Sequence, residues 1–345
     1  MKNHFEMTLS QTIEWILSTP TPAVIDAVRE LEGNFVILGV GGKMGATTAL
    51  MLRRALDAAG RGASLVTGVS RFSNPDARRE LEAFGIRTVA CDLAEPDDVA
   101  RLDDAAHVIF LAGQKFGTDG APEATWVQNT VVPALVARRF RTSRIVVFST
   151  GCVYPFARTD GPGSSEREPL AFQGEYASSC IGRERVFTYH AQRFGTRQLI
   201  FRLNYATELR YGVLVDIAQK VLGGQAVDLT TGWLNCIWQG DACARAIQSL
   251  AHVSNPPKLL NVTGAEKLSV RMIAEEFGRR FGREPVFTGR ESDTAWLADA
   301  SESVRLFGEP TVSLPEMLDL TADYVRQGGR LLGKPTHFET RSGRF

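Results

Sequence analysis

Apolar positions along this chain fall into two periods. Short, mainly apolar runs stand at 35–38, 65–69, 88–90, 108–111, 145–148 and 198–202, the first being Phe35-Val36-Ile37-Leu38. Such runs, too short for helices and without polar alternation, are the pattern of strands buried on both faces. Between them, at 46–59, 76–84, 96–104, 123–140 and 176–194, apolar residues recur at helical spacing. Strand and helix in regular turn predict an α/β fold, a parallel sheet doubly wound with helices on both faces. Ahead of the first strand, Ile13, Ile16 and Leu17, then Val24, Ile25, Val28 and Leu31, keep helical spacing around Pro20-Thr21-Pro22. Residues 1–33 are therefore expected to form a helical extension with a break at the prolines. From 203 the alternation loosens into helical segments at 211–222, 240–251, 269–281 and 315–326. These predict a smaller C-terminal lobe over 203–330, after a sheet domain at 34–202 and before a tail at 331–345.

Composition excludes more than it suggests. Lys+Arg and Asp+Glu both total 39, so no net charge draws the chain to nucleic acid or an anionic membrane. No apolar run approaches the ~20 residues of a membrane span. The N-terminus carries no signal-peptide pattern. Five cysteines without paired spacing are read as free thiols in a reducing cytoplasm, and neither they nor the histidines show metal-ligand spacing. The basic tail, with Arg330, Lys334, Arg341 and Arg344, is read as a solvated end.

Chemistry first shows at Gly39-Val40-Gly41-Gly42-Lys43-Met44-Gly45, between the first strand and the first sheet helix. Glycines there allow a tight turn and let backbone N–H groups approach a pyrophosphate at the helix N-terminus. That context predicts a dinucleotide-binding Rossmann domain. The second strand ends at Ser70-Arg71, where an acidic residue ordinarily holds the adenosine ribose of NAD. Arg71 suits a 2′-phosphate, so NADP is expected, with NAD as the alternative. Asp92-Leu93, after the third strand, is placed to touch the adenine.

Further segments fall in order. Ala112-Gly113-Gln114-Lys115 follows the fourth strand, and Phe148-Ser149-Thr150-Gly151-Cys152-Val153-Tyr154 ends the fifth. Ser165-Glu166 and Pro169 precede a helix bearing Tyr176 and, eight positions on, Glu184. Gln239-Gly240-Asp241-Ala242 and Leu260-Asn261-Val262-Thr263-Gly264 come later. From about 35 to 325 this set resembles the extended short-chain dehydrogenase/reductases, the NAD-dependent epimerase/dehydratase family of nucleotide-sugar enzymes. The resemblance implies an oxidoreductase or epimerase acting on a hydroxylated, sugar-like substrate, with 236–264 returning to the Rossmann sheet. It places Gly113 and Lys115 beside the nicotinamide ribose. Thr150 falls at the catalytic hydroxyl position and Tyr176 at the proton-transferring tyrosine. It further implies a homodimer formed through helices 123–140 and 176–194, for which Val127, Val131 and Leu135 offer an apolar face.

One departure bears on catalysis. Cys180 stands four residues after Tyr176, where the family carries a lysine that binds the ribose and keeps the tyrosine acidic. Without a cation, tyrosine titrates near ~10, too high for an efficient base at neutral pH. Three readings of Cys180 compete: a small packed residue in a weakened site, a gap filled by the ammonium of Lys115, or a thiolate in its own right. Arg183 is a poor substitute, because it lies a turn further on and cannot release a proton. Cys152, Asn204, Trp233 and Asn235 are candidates for the substrate pocket. The rival function is a dinucleotide-binding sensor or regulatory protein with little or no turnover.

Overall fold

The computed structural model describes residues 9–115, 120–334 and 336–342, so Arg344 of the basic tail lies outside the described residues. Seven strands form one wholly parallel sheet: β1 (Phe35–Leu38), β2 (Val66–Ser70), β3 (Arg87–Ala90), β4 (His107–Phe110), β5 (Arg144–Thr150), β6 (Gln198–Leu203) and β7 (Lys258–Val262). Their spatial order is β3-β2-β1-β4-β5-β6-β7. The order reverses between β1 and β4, so a crevice opens there at the carboxyl ends of the strands. Register carries the site: Leu38 stands opposite Val69 and Phe110, and Thr150 opposite Leu203.

Helices α1 (Leu9–Leu17) and α2 (Pro22–Arg29) make up the extension. Thr21 caps α2, its hydroxyl accepting from the Val24 N–H, and Pro22 sits in the first turn where no N–H is needed. The extension spans both units. Ile13 and Leu17 join the core of the C-terminal lobe, while Val24, Val28 and Leu31 join that of the sheet. Each such burial contributes about 2 kcal/mol.

Helix α3 (Gly45–Ala58) follows the glycine loop, then come α4 (Pro75–Ala83) and α5 (Pro96–Ala100). The helix expected over 96–104 stops early. Leu102 turns into the core, and Asp103-Asp104 would place two negative charges at a helix C-terminus, which is unfavourable. The helix expected over 123–140 forms as α6 (Pro122–Trp126), a π-helical turn at Val127–Val131, and α7 (Val132–Arg139). The wider turn directs Asn129 inward, where it is fully buried. Next is α8 (Gly174–Phe194), ended by Gly195 in a left-handed conformation.

The lobe packs α9 (Val213–Gly223), α11 (Val270–Phe281) and α13 (Leu314–Arg326) around Leu214, Ile217, Phe277 and Met317. Helices α10 (Gln239–Gln248) and α12 (Ser301–Phe307) belong to the sheet, the first packing on α2 and α3 and the second on β7. The tail is not a solvated end. Phe338 is buried in the lobe core, Thr336 binds Asp216, and Arg341 donates to the Thr294 carbonyl at 2.8 Å. Among described residues, no helix is long and apolar enough to cross a membrane.

Candidate functional site

The glycine loop is built by close approach. Gly39 has φ +90, a left-handed backbone, and a Cβ on it would lie 2.7 Å from the Ala112 nitrogen. A Cβ on Gly45 would lie 2.6 Å from the Gly39 carbonyl. Met44, the residue ahead of α3, gives no side-chain cap, and the Gly45 N–H donates to the Gly42 carbonyl at 3.2 Å, closing the loop onto the start of the helix. That cradle fits the pyrophosphate of a dinucleotide. Gly39, Gly42, Lys43, Met44 and Gly45 line a cleft of about 360 Å³ at the reversal point of the sheet. Gly41 lies behind it, where a Cβ would meet the Ser70 hydroxyl at 2.7 Å.

Gly113, Lys115, Thr150, Cys152, Tyr176 and Asn204 line the same cleft. Residues as far apart in sequence as Gly39 and Asn204 therefore share one cavity. Thr150 ends β5, and its hydroxyl accepts from the Cys152 N–H at 3.2 Å. Tyr176 lies in the first turn of α8. Burial drives its hydroxyl well above the usual tyrosine range, with Arg183 and a hydrogen bond to Thr150 acting in the opposite sense. Tyr176 is thus a protonated phenol at neutral pH.

Burial weighs against the thiolate reading of Cys180. The residue is fully buried, packed with Val153, Tyr154 and Ile181, and burial pushes its thiol up to about 11. A thiol below its pKa is neither nucleophile nor base. Lys115 does stand near the tyrosine, its Nζ 6.0 Å from the Tyr176 ring centre. Burial disfavours its ammonium, so it is a weak replacement for a solvated lysine charge.

Arg183, set aside from the sequence, reaches the cleft. Its Nη1 donates to the Phe148 carbonyl at 2.9 Å and its Nη2 to the Asn129 side chain. Asn129 also bonds both backbone groups of Gln114, at 3.1 and 3.0 Å, and donates to the Ser179 hydroxyl at 2.9 Å. The π-helical turn thereby fixes the loop carrying Gly113 and Lys115.

A buried layer supports these groups from behind. Glu184 accepts from Arg202 at 2.6 and 3.0 Å and from the Ser149 hydroxyl at 2.5 Å. Arg202 also donates to the Tyr154 hydroxyl, which donates to Asn261 at 2.7 Å. Asp241 instead ties down the chain ahead of α13, accepting from Thr311 and Val312.

The lobe supplies the opposite wall. Asn204 donates to Asn235 at 2.9 Å, so Asn235 orients Asn204 and is not itself among the lining residues. Tyr205 has φ 43, strained for a non-glycine residue, and turns the chain across the cleft. Tyr211 stacks under Lys43, whose Nζ is 3.1 Å from the ring centre. Burial, then Lys115 and Lys334, bring the Lys43 amine down to about 7. Lys334 and Thr336 of the tail complete the wall.

Other expected residues lie elsewhere. Arg71 is exposed at the end of β2, beyond the cleft lining. Asp92 accepts from the Ala94 N–H at 3.0 Å, closing a turn, and Leu93 is buried in the sheet core. Ala112 backs Gly39, and Trp233 sits in a short strand, Trp233–Leu234, with Lys267 over its ring. Of the residues not expected, Arg183 had a legible signal: seven positions from Tyr176 is the same helix face. Tyr211, Lys334 and Thr336 had none.

The sequence matches no curated protein. Among solved structures, UDP-glucose 4-epimerase from Thermotoga maritima, determined with UDP-glucose, superposes at a TM-score of 0.70 and 18% identity, covering 86% of this chain and 99% of that one. UDP-glucose 4-epimerase from Thermus thermophilus, with NAD, gives 0.69 and 19% identity over 85% and 99%. UDP-glucuronic acid 4-epimerase from Bacillus cereus, with UDP-glucuronic acid and NAD, gives 0.68 and 18% over 85% and 99%. These likenesses establish a shared fold. Residues 35–207, half of the chain, match the family model described as NAD dependent epimerase/dehydratase. Fold, cleft and sequence match together make the conclusion plain: the chain belongs to the NAD-dependent epimerase/dehydratase family.

Proposed function

We propose that this protein is an NAD(P)-dependent oxidoreductase or epimerase acting on a hydroxylated sugar, a nucleotide sugar of the kind held by its structural neighbours. The observation that carries this is the meeting of Tyr176 and Thr150 in the cleft that begins at the glycine loop. Family membership supports it, as do neighbours solved with UDP-sugars and NAD. The sensor reading is disfavoured, since the tyrosine and hydroxyl of a working site are both retained. NADP is the preferred cofactor on the strength of Arg71 and the missing acid at the end of β2.

The bound cofactor supplies a hydride donor or acceptor. Gly39, Gly42 and Gly45 would let the backbone approach its pyrophosphate, and Gly113 and Lys115 would hold its nicotinamide ribose. Tyr176, protonated at rest, donates to the substrate oxygen as a carbonyl becomes an alcohol and receives the proton in the reverse direction. Thr150 donates a hydrogen bond to the same oxygen. Asn204 and Tyr205 orient the sugar from the lobe. We further propose a cytoplasmic homodimer through α6–α7 and α8, where Val127 and Val131 are exposed.

Titration with NADH and NADPH, followed by incubation with UDP-sugars read at the nicotinamide absorbance for net oxidation or reduction and by product analysis for epimerisation, tests the reading. Tyr176→Phe is expected to keep nucleotide affinity and lower kcat about 100-fold or more. Failure to bind either nucleotide would sink both enzyme and sensor.

A further inference from the structure

The family lysine is missing at position 180, yet the corner it would fill is not without charge. Positions 176, 180 and 183 share one face of α8. Side chains on a helix tilt toward its N-terminus, so an arginine at 183 reaches back over position 180. Cys180 is small, uncharged and packed against Val153, Tyr154 and Ile181, so it brings no cation to this corner. The Arg183 guanidinium lies against Gly113, and any Cβ there would fall on its Nη2. It is 5% exposed and lines the cleft together with Tyr176.

We infer that Arg183 supplies the cation that position 180 lacks, acting as a positioning residue for Tyr176 and for the nicotinamide-ribose loop at Gly113. This rests on the proposed function above. Two bonds aim the guanidinium, one to the Phe148 carbonyl on β5 and one to Asn129 in the π-helical turn. Its Nε is a buried donor with no partner among the described residues. The charge reaches both neighbours on its face: Arg183 is the cation that opposes the upward shift of Tyr176, and it does the same for Cys180. The guanidinium need not release a proton for this. The role it inherits is electrostatic, and a permanent charge serves it. A lysine at 180 would add a like charge beside the guanidinium, so cysteine and arginine form a consistent pair.

The test uses the full-length protein with two probes, NADH and ADP. ADP shares the adenosine and pyrophosphate ends but lacks the nicotinamide ribose. Arg183→Gln should weaken NADH about tenfold, as for one lost charge-assisted hydrogen bond, and leave ADP within about twofold. Arg183→Lys should recover part of the NADH affinity. The double variant Cys180→Lys with Arg183→Gln should recover most of it, because the ammonium returns to the family position. Unchanged NADH affinity in Arg183→Gln overturns the inference. So does an equal loss for both probes that Cys180→Lys does not repair, the mark of a packing residue. A wild-type protein binding neither probe instead overturns the proposed function, and this role with it.

Discussion

At the scale of single residues, burial decides the chemistry of this site. Tyr176, Cys180 and Lys115 are each pushed toward their neutral forms, because burial penalises charge. A guanidinium keeps its charge in such a place. The same logic governs the layer behind. Arg202 and Glu184 are 3% and 4% exposed, so either one without the other would be an uncompensated buried charge. Glu184→Gln is therefore expected to lower stability by about 3 kcal/mol, read by urea unfolding. A loss within about 0.5 kcal/mol would show that water reaches Arg202.

At the scale of elements, the two ends of the chain fasten the cleft. Glu14 of α1 accepts from Thr47 of α3 at 2.7 Å and from Arg210 of the lobe at 2.6 Å, so one carboxylate joins sheet and lobe. The Arg210 carbonyl in turn accepts from the Leu332 N–H at 3.1 Å, bringing the tail to the same point. The tail then runs past Lys334 and Thr336 of the cleft to the buried ring of Phe338. Phe338→Ala should cost about 3 kcal/mol, measured as a drop in Tm and in the denaturant midpoint. It should also raise the KM for substrate by loosening Lys334 and Thr336, with little change in NADH affinity. A stability loss without a KM change would make the tail a fastening alone.

At the scale of the whole molecule, the exposed Val127 and Val131 sit on a surface shared by α6–α7 and α8, beside exposed Trp126. Static light scattering at micromolar concentration is expected to give twice the chain mass, and Val131→Glu to give the monomer. A monomeric wild type would count against the homodimer.

The sequence by itself determined six strands of the sheet, because buried strands and amphipathic helices leave periods that survive without any partner, while the seventh, Lys258–Val262, was expected only from the family resemblance. It also determined the glycine loop and the positions of Thr150 and Tyr176, since turn, strand end and first helical turn are local. Even Arg183 was present in the spacing, though its reach was not. The tertiary structure alone decided which groups face one another. Asn235 was turned from a substrate residue into support for Asn204, and Cys180 into a packed thiol. A tail of basic residues became a cleft wall, because the aromatic ring of Phe338 and the Asp216 carboxylate hold it down. Those outcomes depend on contacts between residues far apart in sequence, and such contacts set burial, which sets charge.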